Sequence, residues 1–155
     1  MHRIYDFGLA VTAQGTKQVM VGDKVFNYGP GEFMLTPIDS PIVAHVTRAT
    51  RREPYLGLML LLDTRSIALA AFAMQLSRAD EDAAPSPISI VRLDPAILEA
   101  LHRLMEVLDS PRLLPSLAPL IQQEIIFRLL TGRHGSHLRK VVARYVWTRW
   151  RPGQT

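Results

Sequence analysis

Residues 26–63, FNYGPGEFMLTPIDSPIVAHVTRATRREPYLGLMLLLD, constrain this chain more than any other stretch. The segment reads as three β-strands joined by tight reversals. Gly29-Pro30-Gly31 makes one of them, because Gly tolerates positive φ and Pro presets φ near −65°. Pro37 and Pro41 bracket the second. Short strands continue on the N-terminal side. Residues 4–13 have strand composition, 14–17 (QGTK) read as a turn, and 18–21 and 24–28 flank Gly22-Asp23, a dipeptide suited to a two-residue hairpin. With further strands at 32–36, 42–50 and 54–62, the spacing indicates an antiparallel sandwich or barrel.

The pattern changes at Asp63, which can N-cap a helix over 64–78. Residues 79–87 (ADEDAAPSP) read as a loop, and 88–93 as a late strand that rejoins the sheet. Asp94-Pro95 starts a helix over 95–109, with Ile97, Leu98, Leu101, Leu104, Met105 and Leu108 at helical spacing. A further helix, 116–131, ends at Gly132, and its first turn contains Pro119, where a missing N–H does no harm. Its apolar residues exceed one stripe, so it is expected to bury one face in its own domain and another on a partner. Residues 136–150 are compatible with a basic helix.

The 155 residues suit one domain with one core, and 48% apolar with 21% charged residues is a globular composition. No apolar run approaches the ~20 residues that span a bilayer, and no signal-peptide pattern opens the chain, so a cytoplasmic location and no membrane partner are expected. The absence of cysteine excludes disulfides and thiolate chemistry. The net charge of +4 is uneven: residues 1–127 carry 11 Lys/Arg against 14 Asp/Glu, and residues 128–155 carry seven Lys/Arg and no acid. Nucleic-acid binding by the domain as a whole is therefore disfavoured.

In the order and spacing of AQGTKQVMVGDKVFNYGPGEFMLTPIDSPIVAHVTRAT, EPYLGLMLLLD, VRLDPAILEALHRLMEVLD, LAPLIQQEIIFRLLTG and HGSHLRK, the chain resembles the N-terminal region of AraC-type transcriptional regulators over roughly residues 5–140. The resemblance implies an α+β fold, a cupin-like antiparallel β-barrel of jelly-roll type followed by a C-terminal helical layer. It divides the chain into a sensor barrel with dimerisation helices, 1–132, and a basic tail or linker, 133–155. It also implies a small-molecule effector, a homodimer, no cofactor, and DNA contact only through a C-terminal part that this chain lacks, since no helix-turn-helix pattern is present. A free-standing small cupin, either a metal-dependent enzyme or a small-molecule binder, is the alternative.

Candidate sites follow from residue types. A catalytic cupin needs several His and Glu ligands together. Of His2, His45, His102, His134 and His137, only His45 lies in the barrel strands, and its i+2 neighbour is Thr47, so no metal site is expected. No nucleophile elbow or phosphate loop is present, and no catalytic residue is assigned. Tyr28, Met34, Thr36, His45, Tyr55 and Met59 are the effector-pocket candidates. Met34 and Met59 equally suit core filling, Tyr28 and Tyr55 rim packing, and His45 a plain strand histidine. A one-residue slip of register would exchange the whole set. Ile121, Ile125, Arg128 and Leu129 are the dimer-interface candidates. The basic tail, with Tyr145, Trp147 and Trp150 among its cations, reads as a linker, a nonspecific phosphate binder or a solvated end.

Overall fold

The computed structural model describes residues 7–37, 42–74, 88–132 and 135–140. The chain forms two compact units, one of Met1–Asp63 with Ser86–Leu93 and one of Thr64–Pro85 with Asp94–Thr155. The fold is α+β, with antiparallel sheets.

The first unit holds seven strands among the described residues: β1 (Phe7–Gln14), β2 (Thr16–Val21), β3 (Lys24–Tyr28), β4 (Glu32–Pro37), β5 (Ile42–Arg48), β6 (Leu56–Leu62) and β7 (Ser89–Arg92). They make a four-stranded sheet in the order β6-β1-β4-β7 and a three-stranded sheet in the order β3-β2-β5. The late strand thus rejoins the sheet beside β4, as its sequence indicates. Turn chemistry accounts for the tight connections. Gly22 sits at φ 60° between Val21 and Lys24, which pair directly. Pro30 and Gly31 occupy the central positions of a turn closed by Glu32 N–H donating to the Gly29 carbonyl (3.1 Å), with Gly31 at φ 85°. That is the type II pattern, Pro first and Gly second.

The β1–β2 link is tighter than the four-residue turn expected over 14–17. Gly15 alone connects the strands, at φ 83°. A Cβ there would stand 2.5 Å from the Arg48 carbonyl oxygen, so both the backbone conformation and the close approach require glycine. The reversal bracketed by Pro37 and Pro41, the 79–87 loop, helix residues 75–78 and the chain after 140 lie outside the described residues.

A core joins the two sheets: Ala10, Val19, Tyr28, Met34 and Ile88 are buried together, with Val21, Phe26, Ile42 and Ile90 packed against them. These residues fix the register. Ala10 pairs Met34 and Met59, Met34 pairs Ile90, and Val19 pairs Phe26 and Ala44. The opposite face of the four-stranded sheet carries Leu9, Phe33, Leu35, Leu60 and Leu62, all buried. The central strands therefore read as near-continuous apolar runs rather than alternating ones.

The second unit holds α1 (Thr64–Ala73), α2 (Pro95–Val107) and α3 (Leu114–Thr131), and residues 135–140 are also helical. α2 starts as its sequence dictates: the Asp94 side chain accepts from Ala96 N–H (2.8 Å) and Pro95 takes the first turn. α3 begins earlier than expected, at Leu114, so Pro119 lies inside the helix rather than in its first turn. There it cannot donate to the Pro115 carbonyl. Gly132 ends α3 in an extended conformation (φ −88°), not a left-handed one. Its N–H caps the Arg128 carbonyl at 3.0 Å. Gly135 has a stronger steric reason, since a Cβ there would run into the Leu130 carbonyl. α2 and α3 are tied by Glu124, which accepts from Arg103 Nη2 through both oxygens (2.9 and 2.8 Å) and from Arg128 Nε (3.0 Å). Among the described residues, no helix is long and apolar enough to cross a membrane.

Candidate functional site

The two faces of the four-stranded sheet differ in bulk. The outer register of β1 and β6 carries Leu9, Val11, Leu58, Leu60 and Leu62. The register facing the other sheet carries Gly8, Ala10, Thr12, Gly57, Met59 and Leu61. The inner face thus mixes small side chains with the larger Met59 and Leu61, while the outer face is bulky throughout.

One end of this inner face holds a polar cluster. Thr12 on β1 pairs Gly57 on β6, and Lys17 on β2 pairs Tyr28 on β3 and Val46 on β5. The Thr12 and Tyr55 hydroxyls lie 3.0 Å apart. The Tyr28 phenol faces both the Tyr55 and the Thr12 hydroxyls, and Lys17 Nζ stands 5.2 Å from the centroid of the Tyr55 ring. Tyr28 is only 2% exposed. Burial, more than anything else, pushes its phenol well above the ordinary tyrosine range; neighbouring Tyr55 adds to the shift and the Thr12 hydroxyl opposes it. The phenol consequently stays protonated, and the three hydroxyls form a neutral donor–acceptor set beside one cation.

The chain holds Tyr55 in place by several local devices. Gln14 Nε2 donates to the carbonyl of Pro54 (2.6 Å). Thr50 and Glu53 close the β5–β6 connection reciprocally, Thr50 N–H to the Glu53 carbonyl (3.0 Å) and Glu53 N–H to Thr50 Oγ1 (2.9 Å). Two glycines make room for the ring. A Cβ on Gly57 would stand 2.7 Å from the Tyr55 hydroxyl oxygen and 2.9 Å from Cε1, and one on Gly15 would stand 3.2 Å from Cδ2. Register shifts in both sheets fall here as well, between Thr12 and Gln14 in the β1–β6 pairing and between Thr16 and Lys17 in the β2–β5 pairing. Bulges re-aim side chains in this way and recur beside functional sites.

Around the cluster the facing side chains turn apolar and are partly uncovered: Val46, opposite Lys17 on β5, is 43% exposed, and Met59 and Leu61, further along β6, are 51% and 41% exposed. Of the six pocket candidates, Tyr28, Met34, Thr36 and Met59 lie in the inner register, and Tyr55 is brought to it by its hydroxyl contacts. Met34 and Thr36 are buried. His45 falls in the other register of β5, opposite Gln18, and is exposed. Sequence reading missed Thr12, Lys17 and Gly57. Counting outward from the Gly22-Asp23 hairpin pairs Lys17 with Tyr28 and would have found the lysine.

The interface candidates divide differently. Ile121, Ile125 and Leu129 are buried within the single chain, together with Ile126 and Leu130. Arg128 is exposed and bonded to Glu124. The large apolar side chains left uncovered on this helix pair are Leu98, Met105 and Leu108 on or just after α2, and Leu113 and Leu120 on or just before α3. Among the described residues, no group of three or more His, Asp or Glu side chains is placed to hold a metal ion. His137 is held below the ordinary histidine range, mainly by burial and further by Lys140.

A family model described as the N-terminus of AraC-type transcriptional regulators matches residues 1–137. Among solved structures, the AraC-like transcriptional activator CuxR is similar, with a TM-score of 0.50 and 14% identity over 94% of this chain and 53% of that one. At that identity the likeness concerns the fold alone. This chain spans about half the length of that protein. Curated proteins give no match.

Proposed function

The chain belongs to the AraC-type transcriptional regulators, as their N-terminal domain, and from that premise we propose that it is a non-enzymatic module that senses a small-molecule effector between its two sheets and dimerises through its helices. The paired sheets are read as a cupin-like barrel serving as a binding scaffold. The observation that carries the reading is the inner face itself, where small side chains, a hydroxyl cluster with one lysine, and uncovered Val46, Met59 and Leu61 stand together. A mostly apolar lining with a few convergent polar groups is what a small-molecule site requires. DNA contact, in this reading, belongs to a further C-terminal part of the regulator, with residues 133–155 as the link to it. An effector that prefers one arrangement of the domain shifts the population of arrangements that such a part experiences.

Dimerisation is read onto the surface the helices leave uncovered. Leu98, Met105 and Leu108 lie beside the buried stripe of α2, and Leu120 with Arg128 lies on α3. A second copy of this chain covering them would remove several large apolar side chains from water.

The sensing reading is tested by thermal unfolding against a panel of small metabolites, using the wild type and Met59→Trp, which fills the inner face. Compounds that raise the melting temperature of the wild type but not of the variant support it. Stabilisation that is equal in both proteins, or absent throughout, refutes it.

A further inference from the structure

The inner face is chemically lopsided. Most of its polar groups gather at one end, in Thr12, Lys17, Tyr28 and Tyr55; Thr36, opposite Gly8 at the other end, is buried. The surface that remains uncovered is Val46, directly opposite Lys17, with Met59 and Leu61 beyond the cluster. A polyol would need donors and acceptors along its whole length, and the uncovered Met59 and Leu61 side chains offer it none. The polar end in turn favours one kind of group. The Lys17 ammonium has three N–H donors, and among the described residues its contact is the face of the Tyr55 ring, with no ion-pair partner. The three hydroxyls can satisfy one another in a closed set. They can also open into a chain, Thr12 donating to Tyr28 and Tyr28 to Tyr55, which frees the Tyr55 proton for an acceptor beside Lys17. Such a chain strengthens each of its bonds, and a charged acceptor gains more than a neutral one.

We propose that the ligand of this inner face is a small monocarboxylate with an apolar body, its carboxylate received by Lys17 and the Tyr55 hydroxyl and its body lying on Val46, Met59 and Leu61. The proposal specifies the effector reading above and rests on it. Tyr28 and Thr12 are positioning residues here: they stand behind Tyr55 and orient its hydroxyl.

The test is titration calorimetry on the full chain with three probes: octanoate, 1-octanol and sorbitol. Octanoate is expected to bind at least tenfold more tightly than 1-octanol. Lys17→Met should bring octanoate down to the 1-octanol affinity and leave 1-octanol unchanged, while Tyr55→Phe should weaken octanoate selectively. Circular dichroism melts check that each variant folds, and Lys17→Gln replaces Lys17→Met should the latter fail. Equal affinity for octanoate and 1-octanol, octanoate binding indifferent to Lys17, or no octanoate binding overturns the proposal. Sorbitol binding that is lost in Met59→Trp would overturn the carboxylate assignment and leave the effector site standing. Failure of all three probes, together with a metabolite panel that never distinguishes Met59→Trp from wild type, would remove both.

Discussion

Gly57→Ala is expected to change the sign of its effect on stability according to what occupies position 55. In the wild type the new Cβ would meet Tyr55 at 2.7 Å from the hydroxyl oxygen, 2.9 Å from Cε1 and 3.1 Å from Cζ. These atoms are the far end of a side chain, so the ring moves and the strand backbone stays. Moving it breaks the 3.0 Å bond between Tyr55 and Thr12 and the lysine–ring contact. A hydrogen bond contributes about 1 kcal/mol net and a partly exposed cation–π contact about 0.5–1 kcal/mol. Against this, replacing Gly by Ala in a strand returns about 0.4–1 kcal/mol through the unfolded chain. The net is a destabilisation of about 0.5–1.5 kcal/mol. In a Tyr55→Ala background the ring is gone and only the favourable part remains, so Gly57→Ala should stabilise by about 0.4–1 kcal/mol. The double-mutant cycle therefore has a coupling energy of about 1–2 kcal/mol. Urea unfolding followed by circular dichroism measures all four proteins. A coupling energy of zero would mean that the glycine does not exist to seat the tyrosine, and the account of how this site is built would fail.

Four further outcomes follow from the same geometry. Ile125→Asp places an unpaired carboxylate at a fully buried position and should unfold the chain or cost several kcal/mol, whereas Leu120→Asp, at a position 63% exposed, should preserve the circular dichroism melt and weaken self-association in sedimentation; dissociation constants unchanged by Leu120→Asp and Leu98→Asp together would refute the proposed interface. Glu124→Gln should cost about 0.5–1 kcal/mol near neutral pH. Arg103 and then Arg128 hold the folded pKa of Glu124 below its ordinary value of 4.5, so its contribution is present above that value and fades as pH falls through the folded pKa; a difference between wild type and variant in urea unfolding that persists undiminished at lower pH would contradict this. Tyr28 shows the opposite sign. Its folded pKa is raised, so its contribution is complete below the ordinary tyrosine value of about 10 and declines as pH rises beyond it, and Tyr28→Phe should flatten that alkaline loss in pH-dependent melts. Asp94→Ala removes the acceptor for Ala96 N–H and should cost about 1 kcal/mol in urea unfolding.

The parts of this fold legible in the sequence are those in which a few adjacent residues decide the backbone. Gly22-Asp23, Pro30-Gly31 and Asp94-Pro95 each mark a turn or a helix start, and each does so in the structure for the reason its chemistry gives. Gly132 and Pro119 show the limit of that method. Gly132 does end the helix, but at φ −88° rather than in the left-handed conformation for which glycine is favoured there, and the helix start that made Pro119 harmless lies earlier than its spacing indicated. Both depend on where the helix begins and ends, which local composition leaves loose. The burial of α3 was illegible for another reason. The width of an apolar surface measures how much must be covered and carries no information on whether the covering comes from the same chain, so Ile121, Ile125 and Leu129 read as partner-facing while they are buried within one chain.

The candidate site was half legible, and the missing half is instructive. Tyrosine and methionine attract notice because they look like pocket residues, whereas Lys17 and Thr12 look like solvent-facing strand residues. Pairing decides otherwise. Once the two-residue hairpin is fixed, Val21 meets Lys24, Val19 meets Phe26 and Lys17 meets Tyr28, so Lys17 must share a face with Val19, which is fully buried. The same parity separates His45 from Ala44 and Val46. A lysine is costly on an inward face unless something compensates it, and here the Tyr55 ring does so in part. Because Tyr55 itself fits only where Gly15 and Gly57 lack side chains, the lysine, the tyrosine and the two glycines depend on one another. A substitution at Lys17 should therefore alter ligand affinity more than stability, which is what separates a built site from ordinary core packing, whereas one at Gly15 must also strain the backbone against the Arg48 carbonyl.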